Sequence, residues 1–354
     1  MIRNKKKVII TGSTGLIGSE CVFYFDRKGW EVHGIDNNIR KMFFGEDGDT
    51  NWNLDRINCF ALNYTHHNID IRMRDKIIEL FDIVQPDYVI HCAAQPSHDL
   101  AASIPFDDFD INAQGTINLL EASRRHSPSA PFCFMSTNKV YGDAPNEIKL
   151  KELKTRWDYD DDKYIDGIDE LLRIDQSKHS LFGASKLAAD IMVQEYGKYF
   201  DMPTVCFRCG CLTGPAHSGA ELHGFFSYLI KCTKEDRKYN IYGYKGKQVR
   251  DNAHSFDICR AVEEFFNNPG CGEVFNLGGG RENSVSIIEA ISYAEECVGK
   301  KLKCKYVDKN REGDHICYIS NLTKMKKRFA HWSITKSLND IFVDIDKALF
   351  NNNL

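Results

Sequence analysis

A glycine-rich turn near the N-terminus carries the first pattern with a chemical use. Gly12, Gly15 and Gly18 lie in residues 11–18, which follow the apolar run 8–10 and open a predicted helix. Glycines at this spacing permit a tight turn and a close backbone approach to phosphate oxygens, and a helix N-terminus contributes free N–H groups. The pattern predicts a phosphate-binding turn. A glycine-rich turn without a ligand is the structural alternative.

An acidic residue makes this pattern more specific. Asp36 ends the second predicted strand, where a carboxylate accepts hydrogen bonds from the ribose hydroxyls of a dinucleotide. The same carboxylate repels a 2′-phosphate. The two features together therefore predict NAD, and not NADP, as the cofactor.

The elements that must position these groups alternate between strands and helices. Apolar runs predict strands at 8–11, 31–35, 88–92, 132–135 and 204–207, and helical periodicity predicts helices at 16–28, 77–84, 111–125 and about 180–199. Such alternation is typical of an α/β fold with a Rossmann doubly wound parallel sheet. We expect an NAD-binding domain at 1–210 and a smaller, mainly substrate-binding C-terminal region at 211–354, between which the chain is free to cross back.

The composition argues against several partners. Lys and Arg total 46 and Asp and Glu total 50, so a nucleic-acid partner is not expected. No run of about 18 apolar residues occurs, which argues against a membrane partner. The apolar stretch near the N-terminus is too short for a signal peptide, so a cytoplasmic protein is expected. The 13 cysteines are scattered and often lie in apolar runs, and we expect buried thiols and no metal.

Further motifs extend along the chain. They are Asp70-Ile71-Arg72 and residues 91–95, 112–118, 136–143, 246–251, 275–280 and 311–314. With the glycine turn they cover essentially the whole chain, which resembles the extended short-chain dehydrogenase/reductases, the family of the nucleotide-sugar epimerases and dehydratases. Within that family, residues 136–143 and 167–170 are similar to the group of CDP-paratose 2-epimerases.

The resemblance favours an epimerase over a dehydratase. Asn138 and Lys139 stand where the family's dehydratases usually have Asp and Glu, the two acids that move protons during water loss. The resemblance implies a nucleotide-diphosphate sugar as substrate. It also implies transient oxidation of one sugar carbon, C2 or C4, and re-reduction from the other face, with NAD carrying the redox chemistry.

The resemblance also implies roles for individual residues. NAD is expected to contact Gly12, Gly15, Leu16, Ile17, Asp36, Asn37, Asp70, Ile71, Ala93, Ala94, Gln95 and Lys186. The expected catalytic group is Thr137, Asn138, Lys139 and Lys186. The nucleotide sugar is expected to contact Thr137, Leu222, His223, Arg250 and Arg311. Arg250 has an alternative as a surface arginine paired with Asp251. Asn112 would organise the site, and helices at about 107–126 and 180–199 would pair in a homodimer.

One position departs from the family's pattern. The family has a tyrosine four residues before the lysine that corresponds to Lys186, and this chain has Phe182 there. Positions i and i+4 share a helix face, so Phe182 is expected in the place of the tyrosine, without its ionisable proton.

Three interpretations of Phe182 stay open. In the first, the chain has lost catalysis and has kept NAD and sugar-nucleotide binding. In the second, another residue acts as the base; the candidates are Lys139 first, then Cys209, Cys211, His98 and His223. In the third, a tyrosine from elsewhere, such as Tyr164, enters the site.

Overall fold

The computed structural model describes residues 5–221, 223–311 and 313–351. Its strands are β1 Lys7–Thr11, β2 Glu31–Ile35, β3 Tyr64–His67, β4 Tyr88–His91, β5 Phe132–Thr137, β6 Leu150–Glu152, β7 Trp157–Tyr159, β8 Thr204–Cys209, β9 Cys211–Thr213, β10 Lys238–Tyr242, β11 Val249–His254, β12 Glu273–Leu277, β13 Ser284–Ser286, β14 Lys303–Val307 and β15 Cys317–Tyr318.

The α-helices are α1 Leu16–Arg27, α2 Ile39–Phe44, α3 Asn51–Phe60, α4 Arg74–Val84, α5 His98–Ala101, α6 Pro105–Phe109, α7 Gly115–His126, α8 Leu181–Phe200, α9 Phe225–Lys234, α10 Ser255–Asn267, α11 Ile287–Val298, α12 Thr323–Arg328 and α13 Leu338–Asn351. Short 3-10 helices occur at Gly45–Gly48, Asn138–Tyr141, Ala144–Glu147, Asp162–Tyr164 and Tyr244–Gly246, and a π-helix at Asp110–Gln114.

The central sheet has seven strands in the order β12-β8-β5-β4-β1-β2-β3. Every neighbouring pair in it is parallel. The strand order reverses between β1 and β4, which is where ligands bind in open α/β sheets, beyond the carboxyl ends of the strands. The predicted doubly wound α/β fold is confirmed.

Alternate residues of each strand enter two different cores. In β1, Val8 and Ile10 pack on the face covered by α1 and α10, and Ile9 packs on the face covered by α4, α7 and α8. Strand side chains alternate between the two faces, and a sheet buried on both faces therefore needs the continuous apolar runs that the sequence has. The helices packed on both faces of the sheet fix the positions of its strand ends.

The part of the chain that follows β8 contributes both to the central sheet and to the C-terminal region. Strand β12 returns to the sheet and pairs with β8, and α10 packs beside α1. Helices α9, α11 and α13 share a separate apolar core, and β11 joins β9, β13 and β15 in a small sheet. The chain thus returns to the central sheet within residues 211–354. The domain boundary expected at residue 210 stays a prediction.

Within the described ranges, no helix has both the length and the apolar character needed to cross a membrane. The same residues contain no cluster of three or more His, Cys, Asp or Glu arranged to hold a metal ion.

Candidate active site

A cavity of about 480 Å³ opens beyond the carboxyl ends of the central strands, and residues after 210 form its other wall. Most predicted site residues line it: Gly12, Gly15, Leu16, Ile17, Asp36, Asn37, Asp70, Ile71, Ala93, Ala94, Thr137, Asn138, Lys139, Lys186, His223, Arg250 and Arg311. Leu222 lies outside the described residues.

The glycine turn between β1 and α1 is tightly packed. Gly12 has φ +66°, and a Cβ there would lie 2.8 Å from the backbone N of Ala93. A Cβ on Gly18 would lie 2.0 Å from the Gly12 carbonyl oxygen. Gly15 precedes α1, which has no side-chain cap, so the N–H groups of its first turn remain available to a ligand. This wall of the cavity fits a pyrophosphate.

Backbone groups orient the carboxylate of Asp36. Its Oδ2 accepts a hydrogen bond from Thr14 N at 3.0 Å, and its Oδ1 accepts one from Asn38 N at 2.8 Å. The carboxylate therefore lies beside the glycine turn, with further acceptor capacity for ribose hydroxyls. The turn, the N-terminus of α1 and Asp36 together fit NAD.

Gln95 is not part of the cavity lining, contrary to the sequence expectation. It is fully buried, and its Nε2 donates to Ser97 O at 2.9 Å and to Asp108 Oδ1 at 2.7 Å. The side chain braces the loop after β4 because its polar atoms are already bonded inside the protein.

Thr137 and Lys139 border the cavity where β5 ends. Thr137 Oγ1 accepts from Lys139 N at 3.2 Å, which caps the short helix Asn138–Tyr141. Lys139 Nζ donates to Gly313 O at 2.7 Å and lies 3.6 Å from Asp314 Oδ1. Burial lowers the pKa of Lys139 from its ordinary value to about 8.

Phe182 and Lys186 lie one turn apart on α8, and both line the cavity. Phe182 is only 7% exposed. Lys186 Nζ donates to Met135 O at 2.8 Å and lies 4.1 Å from the Phe134 ring centroid. Burial lowers the pKa of Lys186 to about 8. Phe182 thus faces the cavity beside the lysine and offers no proton-transfer group.

Arg250 points into the cavity, and its neighbour in β11 points away. Arg250 Nη2 donates to Asp314 Oδ1. Asp251 is buried on the other side, where it accepts from Gly280 N at 3.1 Å and Ser320 N at 3.2 Å. The alternative of an Arg250–Asp251 surface pair is wrong, because consecutive strand residues face opposite sides.

The cationic groups of this wall are balanced by carboxylates. Asp314 serves Arg250 and Lys139, and Asp99 accepts from Arg311 Nη2. Burial alone would raise the pKa of Asp314, but the charges of Arg250, Lys139 and Arg311 hold it well below its usual range. An anionic ligand would therefore meet three cations in one region of the cavity.

The other proposed bases are poorly suited to that role. Burial raises the pKa of Cys209 to about 12 and that of Cys211 to about 11, so both thiols stay protonated near neutral pH. Burial lowers the pKa of His98 to about 4 and that of His223 well below its ordinary value. Tyr164 lies outside the cavity lining.

The pair Cys206 and Cys209 has the spacing of a CxxC motif. The two side chains of β8 enter opposite cores of the sheet, Cys206 on the α8 side and Cys209 on the α1 side. The extended strand therefore separates them.

Sequence reasoning missed several residues that the structure brings to the cavity, among them Arg40, His217, Tyr239, Asn240 and Tyr242. Arg40 Nη1 lies 3.1 Å from His223 Nδ1, and its Nη2 donates to Ser218 O at 2.7 Å. These residues belong to α2, β10 and a loop without any motif, so only the tertiary structure could identify them.

The fold and this site define a dinucleotide-binding protein of the Rossmann type. The chain belongs to the NAD dependent epimerase/dehydratase family, whose model matches residues 8–278. It is 30% identical to the CDP-paratose 2-epimerase of Salmonella typhi, over 94% of this chain and 96% of that protein. It is 26% identical to a dTDP-glucose 4,6-dehydratase of Salmonella typhimurium, over 92% and 84% of the two chains.

A solved relative agrees with this assignment. The UDP-glucuronic acid 4-epimerase of Bacillus cereus, in complex with UDP-glucuronic acid and NAD, is 25% identical and superposes with a TM-score of 0.79 over 98% of this chain and 99% of that chain. The predicted family and the predicted NAD cofactor are confirmed.

Proposed function

We propose that this chain is an NAD-dependent nucleotide-sugar epimerase, an isomerase that inverts one sugar carbon, C2 or C4. One observation carries the proposal: the glycine turn, Asp36, Thr137, Lys186 and the arginine pair 250 and 311 border a single cavity. The similarity to a CDP-paratose 2-epimerase supports inversion at C2. Inversion at C4 is supported by the similarity to a UDP-glucuronic acid 4-epimerase.

The cofactor would be held by the first wall of the cavity. Gly12, Gly15 and the N-terminus of α1 would bind the pyrophosphate, Asp36 the adenosine ribose and Lys186 the nicotinamide ribose. Bound there, the cofactor would supply the hydride acceptor and donor that transient oxidation of the sugar carbon requires.

The substrate's diphosphate would be held by Arg250 and Arg311. Forked guanidinium groups suit phosphate oxygens, and both arginines are already oriented by carboxylates at the cavity wall. His223, together with Leu222 outside the described residues, would contact the nucleotide base. A bound diphosphate would compete with Asp314 for Arg250 and with Asp99 for Arg311.

Lys139 is the base that the site favours in place of a tyrosine. A pKa of about 8 leaves part of the amine neutral near pH 7, and that form accepts a proton. His98 is a far weaker base, and the thiols of Cys209 and Cys211 stay protonated. Thr137 would hydrogen-bond the reacting hydroxyl.

Asn138 would assist only by position. Its Oδ1 accepts a weak hydrogen bond from Thr137 Oγ1 at 3.4 Å. Neither Asn138 nor Lys139 supplies the pair of acids that water loss requires, which favours epimerisation over dehydration.

A second candidate function is an NAD- and sugar-nucleotide-binding protein without catalysis. Phe182 favours it, because this side chain faces the cavity beside Lys186 and carries no ionisable proton. The two functions share both ligands and differ only in turnover.

Incubation with CDP-, UDP- and dTDP-linked hexoses, followed by proton NMR of the anomeric signals, separates the two candidates. An epimerase yields a second sugar signal with the wild-type chain. A binding protein yields none, and Phe182→Tyr then restores turnover if loss of the phenol was the cause. Binding of the same sugars, measured by calorimetry, serves as the control.

We also infer a homodimer that pairs the segment 107–126 with α8. Large side chains are exposed in α8 and in or next to the segment 107–126: Tyr199 is 80% accessible, Phe109 53%, and Phe106, just before the segment, 85%. Exposed aromatic side chains of neighbouring helices are a usual basis for burying an interface. Sedimentation of the wild type and of the double variant Phe106→Asp/Tyr199→Asp checks this, because a dimer should dissociate.

A cytoplasmic location is supported by the thiols. All 13 cysteines of the chain are free, and free thiols persist in a reducing compartment.

A further inference from the structure

A buried carboxylate lies behind the helix that carries Phe182 and Lys186. Asp108 of α6 is 1% exposed. Its Oδ1 accepts from Gln95 Nε2 at 2.7 Å and from Asn112 Nδ2 at 3.1 Å, and its Oδ2 accepts from Ser185 Oγ at 2.6 Å. All three partners can donate, so the network accommodates the ionised carboxylate, while burial raises the pKa of Asp108.

The network reaches the cavity wall through Ser185 of α8, which lies between the cavity-lining residues Phe182 and Lys186. Ser185 directly precedes Lys186, and Ser185 Oγ also approaches the carbonyl oxygen of Phe182 at 3.1 Å. The hydrogen bond that Ser185 donates to Asp108 therefore fixes the turn 182–186, whose two ends line the cavity. A shift of Ser185 would move Lys186 with it, because the two residues are adjacent in one helix.

A second arm of the network reaches the loop after β4. Asn112 lies in the π-helix Asp110–Gln114, accepts from Gln95 N at 3.0 Å and donates to Ser185 Oγ at 3.1 Å. A π-helix replaces the regular hydrogen-bond ladder and often occurs at functional sites. Here it brings Asn112 between the loop and α8.

Two buried carboxylates, Asp108 and Asp190, interact electrostatically with Lys186. Burial lowers the pKa of Lys186, and Cys209, Asp190, Cys92 and Cys206 raise it. The charge of Lys186 in turn lowers the pKa of Asp108 and of His91. Asp190 is already paired with the buried Arg208 at 2.9 Å. Among the hydrogen bonds of the described residues, Asp108 has only neutral donors. Burial raises the pKa of Asp108 and the charge of Lys186 lowers it, so an ionised Asp108 would stabilise the buried ammonium group of Lys186.

We propose that Asp108 is a positioning residue, which holds the turn 182–186 through Ser185 and provides the countercharge of Lys186. Its effect on NAD binding rests on the role proposed above for Lys186. A side chain that served packing alone would not need a carboxylate with three donors around it.

The test uses Asp108→Asn, which keeps the shape and removes the charge, with Asp110→Asn as the matched control on the same segment. NAD affinity is measured by calorimetry across a pH range that brackets 8. Wild-type affinity should fall as pH rises through the Lys186 pKa of about 8, because the ammonium form is lost. In Asp108→Asn the fall should begin at lower pH, with about tenfold weaker binding at the wild-type midpoint.

A second variant keeps the charge and breaks the connection. Ser185→Ala should weaken NAD binding at every pH and leave the pH midpoint unchanged. It also covers the case in which Asp108→Asn does not fold.

Two results would overturn the proposal while the wild type binds NAD normally: the same pH midpoint in Asp108→Asn and Asp110→Asn, or wild-type affinity in Ser185→Ala. A wild type that does not bind NAD at all would instead contradict the proposed function itself.

Discussion

Lys139 and Lys186 face one cavity, and burial lowers the pKa of each to about 8. Their proposed roles require different protonation states. Lys139 acts as a base only when neutral, whereas Lys186 binds the ribose best as an ammonium group. Phe182 beside them carries no charge at any pH, so the two amines determine how the site responds to pH.

Turnover should therefore have a bell-shaped pH profile with a narrow optimum near 8. The rate rises with pH as Lys139 loses its proton and falls as Lys186 loses its own. Initial rates over the pH range check this, with Tm at each pH as the control for unfolding. A rate that is flat across this interval would exclude Lys139 as the base.

The proposed role of Asp36 is to determine the choice of cofactor. Asp36→Ala should weaken NAD about 10- to 100-fold, since hydrogen bonds to a charged acceptor are lost, and should relax discrimination against NADP because the repulsion disappears. Calorimetry with both cofactors measures the two effects. Unchanged affinities for NAD and NADP would contradict this role of Asp36.

Arg250 should matter for the sugar nucleotide and not for NAD. Arg250→Ala should cost about 2–5 kcal/mol of sugar-nucleotide binding if the guanidinium pairs with a buried diphosphate. The single change also leaves the Asp314 carboxylate without its main partner. The double variant Arg250→Ala/Asp314→Asn separates these effects. Equal weakening of NAD binding in both variants would indicate a folding defect.

At the scale of the elements, β1, its turn and α1 behave as one unit. The turn is compact because Gly12 approaches Ala93 and Gly18 approaches Gly12. Helix α1 is also held against the sheet by Val22 and Phe25, which lie in the same core as Val8. The phosphate-binding geometry thus depends on backbone contacts that tolerate no side chain.

Two glycine variants test this unit. In Gly18→Ala the new Cβ would lie 2.0 Å from the Gly12 carbonyl, so the turn must open, at about 1–3 kcal/mol of stability and with loss of NAD binding. In Gly15→Ala the nearest contact is 3.3 Å, so the fold should survive. Thermal unfolding and NAD calorimetry report both outcomes. Equal stability of the two variants would contradict the account.

The sequence located five of the seven strands of the central sheet, β1, β2, β4, β5 and β8, because apolar runs are a local signal, and the glycines located the turn after β1. Strands β3 and β12 were not located. Gln95, which the family motif places near NAD, does not line the cavity, since a motif gives position along the chain and not the direction of a side chain. Asp108, Tyr239 and Tyr242 were missed because they reach their sites through tertiary packing alone.

At the scale of the whole molecule, the cavity exists only because the chain crosses back. Strand β12 and helix α10 anchor the second half to the Rossmann sheet, and β11 carries Arg250 to the opposite wall. The glycine turn and Asp36 come from the first half of the chain, and Arg250 and Arg311 come from the second. Neither half alone would bring a sugar between them.

Conversion of a nucleotide sugar by the wild type and by Lys139→Met, followed by proton NMR, decides whether the chain is an epimerase with Lys139 as its base. We expect epimer formation by the wild type. We expect no turnover by Lys139→Met, while calorimetry finds NAD and the sugar nucleotide still bound. Full turnover by Lys139→Met would reject Lys139 as the base, and absence of turnover by the wild type with every sugar that it binds would contradict the assignment as an epimerase.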